Sequence, residues 1–128
     1  MSTDRVAYEY VVLRCVPRVD REEFVNVGVV LFSSPAQVLR SASRVDADRL
    51  RALAPTVDLE AVHTALATID RICRGDERAG PAASTSLRTR FGWLAAPRST
   101  VVQPGPVHAG LADDPERELQ HLLECLVA

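Results

Sequence analysis

Residues 6–16, VAYEYVVLRCV, are almost all apolar, β-branched or aromatic, which predicts a strand. Alternation places Val6, Tyr8, Tyr10 and Val12 on one face and Ala7, Val11, Leu13 and Cys15 on the other, so both faces are expected to be covered. Pro17 ends the run because it has no N–H for a ladder. Residues 25–32, VNVGVVLF, have the same character, and the linking PRVDREEF is long enough for a wide hairpin, so the two are expected to pair antiparallel. Gly28 in mid-strand predicts a bulge or a close approach by another backbone.

The period then lengthens. Asp46 is a fitting N-cap for a short helix that Pro55 stops, and Asp58 caps a longer one. In the longer helix Val62, Leu66, Ile69 and Cys73, with Ala65 and Ile72, form one apolar stripe; His63 lies beside it and Gly75 follows its end. Residues 75–86, GDERAGPAASTS, predict a flexible loop. SLRTRFGWL reads either as a strand or as a short turn of helix, with strand preferred. STVVQ, 99–103, predicts a short strand, and PGPVHAGLA after it an irregular segment. Asp114 as N-cap, Pro115 as first helical residue and Glu116 open a final helix with Leu119, Leu122, Leu123, Leu126 and Val127 on one face. The expected whole is a single α+β domain over residues 1–128, a mainly antiparallel sheet with about three helices packed on it.

Composition narrows the chemistry. All 15 basic residues are arginine, so lysine Schiff bases, a phosphate-loop lysine and a kinase strand lysine are excluded. The net charge of −2 gives no general attraction to nucleic acid. One local exception is residues 71–100, where Arg71, Arg74, Arg78, Arg88, Arg90 and Arg98 stand against only Asp76 and Glu77. No apolar run is long enough for a membrane span, and the first residues lack a signal-peptide pattern. Cys15, Cys73 and Cys125, odd in number and in apolar surroundings, read as reduced, buried thiols of a cytoplasmic protein.

Polar residue types concentrate in APRSTVVQPGPVHAGLADDP, residues 96–115. Ser99 or Thr100 with His108 and an aspartate could form a hydrolytic triad, but no nucleophile elbow surrounds either hydroxyl. His63, His108, His121 and the cysteines have no metal-ligand spacing, so neither metal nor cofactor is expected; His108 with Asp113 and Asp114 is the one set that could hold a hard cation. Glu9, Asp20, Glu22 and Glu23 lie near one hairpin but lack the clustering a nuclease needs. Recognition suits the segment better. Arg98 can grip a carboxylate or phosphate with two prongs, and Ser99, Thr100, Gln103 and His108 can orient it. Trp93, with Phe91 nearby, offers an apolar anchor, and the prolines stiffen the loop. In the competing structural reading, Trp93 is core and Arg14 and Arg98 pair with Glu9 or the aspartates.

EYVVLRCVP, REEFVNVGVVLF and above all RFGWLAAPRSTVVQPGPVHAGLADDP resemble a bacterial family, the domain of unknown function 3037 (DUF3037). The resemblance runs from near Tyr8 to the last helix and carries no catalytic residues with it. It implies a protein partner, a HipA-like kinase. The function expected is therefore a non-catalytic accessory protein that recognises a partner through residues 96–111. The alternative is a small enzyme or binder for a phosphorylated or nucleic-acid substrate, with Arg98 as anion anchor and His108 with Asp113 as acid–base or metal group.

Overall fold

The computed structural model describes residues 4–127. Five strands and four α-helices follow one another as β1 (Val6–Cys15), β2 (Val25–Ser33), β3 (Val38–Ser43), α1 (Ala47–Leu53), α2 (Leu59–Arg74), α3 (Leu87–Ala95), β4 (Val102–Pro104), β5 (His108–Ala112) and α4 (Pro115–Leu126). The sheet is antiparallel throughout, in the order β3-β2-β1-β4, and β5 also pairs with β1. The fold is α+β, as expected, with one more helix than the sequence pattern gave. No helix among the described residues is long and apolar enough to cross a membrane.

β1 is central, and both its faces are covered. Val11, Leu13 and Cys15 join β2, α2 and α3 residues in the larger core; Tyr8 joins Leu119, Leu122, Leu123 and Val127 of α4 on the other face. Gly28 meets both halves of its expectation. The β1–β2 register slips beside it, and a Cβ there would lie 2.9 Å from the Ala42 carbonyl oxygen. The caps are as read: Asp46, Asp58 and Asp114 accept from the first turns of α1, α2 and α4, and Gly75 ends α2 with φ 71°.

Four elements differ from the sequence reading. Residues 87–95 form α3, not a strand: Ser86 caps it by accepting from Thr89 N, and Leu87, Phe91 and Leu94 share the face turned to the core. Aromatic and β-branched residues make so short a segment ambiguous, and tertiary packing decides it. β3, half polar in sequence, is an edge strand on β2. The segment taken as irregular contains β5, because the free edge of β1 supplies the ladder that its weak β-formers do not by themselves demand. The strand expected over 99–103 begins only at Val102 and runs to Pro104. Within 75–86, Glu77–Ala79 and Pro81–Ser84 form short 3₁₀ turns.

β4 and β5 lie end to end along β1 as one interrupted outer row. Between the pairs Leu13↔Pro104 and Tyr10↔His108, three steps along β1 face four along the outer row. Gly105–Pro106–Val107 takes up the extra residue, and Gly105 N still donates to Val12 O at 2.8 Å.

Candidate functional site

The polar residues of the 96–115 segment divide among three places. Arg98 closes the C-terminus of α3, its Nη2 donating to Trp93 O and its Nε to Ala96 O at 3.4 Å. Trp93 stands beside it, 45% exposed. Thr100 Oγ1 donates to Val102 O (2.7 Å) and Gln103 Nε2 to Thr100 O (2.9 Å), so both side chains brace the entry to β4; Ser99 is exposed. His108, at the start of β5, stacks on Tyr10 with ring centroids 5.2 Å apart. Asp113 follows the other end of β5, roughly 16 Å further along an extended strand. It lines an open cavity of about 540 Å³ with Arg5, Asp114, Arg117 and His121. The structure therefore does not bring His108 and Asp113 together, and it does not join either to Arg98.

The arginine-rich segment is likewise engaged internally. Arg74 pairs with Asp70 and Arg78 with Asp76 (both 2.7 Å), and Arg88 with Glu9 at 3.6 Å. The Arg78 guanidinium holds the Asp76 carboxyl down at about 2. Arg90 is buried and donates to the carbonyls of Ile72, Cys73 and Thr85. At the first hairpin Asp20 pairs with Arg18 and Glu23 with Arg21, and among the described residues no three acidic, histidine or cysteine side chains gather as metal ligands. Cys15 and Cys73 are buried, and burial first, then Asp70, pushes the Cys73 thiol up to about 12. Cys125 corrects the reading of all three as buried: it is exposed, on the outer side of α4, its sulfur 3.6 Å from His121 Nε2.

What the segment does present is an edge. Among the described residues the outer row pairs only with β1, and its outward side has no strand beside it. It carries no charged residue from Val102 to Ala112, while Val107 is 51% and Leu111 61% exposed. β3, at the opposite edge, is guarded differently: α2 and α4 flank it, and Arg40 in its middle reaches Glu116 at 3.7 Å.

Next to β5 the sheet face on the α3 side holds a cavity of about 170 Å³. Buried Phe32 lines it, stacked on Phe91 at 5.4 Å and with the Arg88 guanidinium over its ring at 4.9 Å, and Arg88 in turn pairs with Glu9. On the β5 side only Ala109 and Gly110 stand between the cavity and the open edge. Sequence reading missed this cavity because its lining comes from β1, β2, α3 and β5. The one available signal was Glu9, a charge in the middle of a mainly apolar strand. A larger cavity of about 550 Å³ lies between the first hairpin and the α1–α2 connection, but its arginines, Arg18 and Arg21, are already paired with Asp20 and Glu23.

No curated protein matches the chain. No solved structure matches it either. The family model described as "Protein of unknown function (DUF3037)" matches residues 10–127, nearly the full length, so the chain belongs to the DUF3037 family.

Proposed function

We propose that this protein is a non-catalytic, cytoplasmic accessory protein that recognises an extended segment of a partner polypeptide along the β5 edge. One observation carries the reading: a strand edge that is unpaired among the described residues, uncharged and apolar lies beside a cavity lined by Phe32 and Arg88. A strand added there would gain main-chain hydrogen bonds from β5, and the cavity would select one of its side chains. Such an edge left bare invites aggregation, which gives a physical reason for a resident partner. The HipA-like kinase implied by the family resemblance is the first named candidate.

Within this reading the roles foreseen for the segment are redistributed. His108 and the stiffening prolines lie on the outer row itself, Thr100 and Gln103 brace its start, and Arg98 and Trp93 stay at the end of α3. Panning a random dodecapeptide library against the protein tests the reading. Enriched peptides should bind the wild type and lose at least about tenfold in affinity for Leu111→Lys, an exposed substitution expected to leave stability within about 0.5 kcal/mol. Failure to enrich any peptide, or equal binding to Leu111→Lys, overturns it.

A further inference from the structure

Arg14 is the one charged residue that β1 directs to the α4 side of the sheet, where it faces Asn26 of β2 and Gln103 of β4. Neither neighbour's side chain binds it: Asn26 Nδ2 donates to Leu126 O and Gln103 Nε2 to Thr100 O. Among the described residues Arg14 makes no ion pair, and its Nε is buried with no hydrogen-bond partner. A guanidinium that is partly desolvated and unpaired is costly unless something answers it.

Its position is fixed all the same. The Phe24 ring centroid lies 4.2 Å from Cζ, and a Cβ built on Gly105 would sit 3.2 Å from Cζ, Nε and Nη2. The guanidinium is thus braced by an aromatic ring and lies over a residue without a side chain, on the outermost row of the sheet. Backbone pairing is poor at that end. Gly105 N–H points inward to Val12 O, and the residues on either side, Pro104 and Pro106, have no N–H to offer an incoming strand. Recognition beyond the Gly105 end of β5 therefore falls to a side chain, and Arg14 is the one placed for it.

We infer that Arg14 is a specificity residue that binds a carboxylate of the docked polypeptide. This rests on the reading of the β5 edge and names the chemistry of its partner: an extended segment with an apolar residue for the Phe32 cavity and an Asp or Glu at the Gly105 end. A strand added outside the row would lie about 9.6 Å from β1, two strand spacings, which an arginine and a carboxylate can bridge between them. The two-pronged N–H fork suits a planar carboxylate.

The dodecapeptides enriched on the wild type provide the probe. They are expected to carry Asp or Glu at a fixed offset from their apolar anchor. Replacing that acid by its amide should weaken binding about tenfold to the wild type and hardly at all to Arg14→Gln. Gly105→Ala, whose Cβ displaces only the far end of the Arg14 side chain, should show a smaller loss of the same kind. Arg14→Lys keeps the charge without the fork, so it separates loss of geometry from loss of folding. Enriched peptides that respond to Leu111→Lys but show no acidic position, or an amide effect undiminished in Arg14→Gln, overturn the inference and leave the edge reading standing. Failure to enrich any peptide overturns both.

Discussion

Arg90 is almost wholly buried, yet it has no carboxylate; its guanidinium takes up the last carbonyls of α2, at Ile72 and Cys73, together with Thr85 O. Removing it orphans acceptors that water reaches poorly, so Arg90→Met is expected to cost about 1–3 kcal/mol, read by urea unfolding. Tyr8 is a second residue whose polar atom is fully used. Its hydroxyl donates to Glu118 at 2.9 Å, and burial first, then Glu118, pushes its pKa up to about 12. Because the folded value lies above the ordinary 10, this contribution is complete below pH 10 and is lost as pH rises from 10 through 12. Tyr8→Phe should therefore flatten the alkaline fall in melting temperature between those values. Gly110→Ala tests the same packing from the other side: its Cβ would sit 2.6 Å from the Tyr8 oxygen, and a loss of roughly 1–3 kcal/mol is expected. Thiol labelling of the native protein should modify Cys125 alone, since Cys15 and Cys73 are buried and their pKa values raised.

At the scale of elements, legibility followed the strength of local signals. α2 was plain because a cap, an apolar stripe and a glycine stop agree, and α4 because its cap and apolar stripe do. β1 and β2 were plain because two covered faces demand near-continuous apolar runs. α3 was not, since nine residues containing Thr89, Phe91 and Trp93 satisfy neither period cleanly. Ser86 was its one local signal, and Ser86→Ala should destabilise the protein by about 1 kcal/mol in thermal unfolding. β5 was hidden for a different reason: HAGLA has little strand propensity, and its state is set by β1, a hundred residues away in sequence. The candidate site was legible only as a region. The 96–115 segment does border it, but Arg98 is taken up by the end of α3, and the cavity and the Arg14 brace depend on contacts no spacing encodes.

The whole molecule is a sheet whose two edges are treated differently. One, β3, is flanked by α2 and α4 and marked by Arg40; the other, among the described residues, has no strand beside it, is uncharged and is interrupted by two prolines that confine pairing to β5. α4 packs on β2 and β3, so the outer half of that sheet face, with Tyr10, His108 and Arg14, stays accessible from the open edge. The cavity opens on the α3 face and the guanidinium lies on the α4 face, so an extended chain along β5, whose side chains alternate, presents one side chain to each. Amide hydrogen exchange, with and without an enriched dodecapeptide, tests this most directly. The account expects slowed exchange confined to the Val107–Ala112 stretch and the cavity rim around Glu9. Unchanged exchange there, with protection instead at the Arg18–Asp58 cleft, would contradict it.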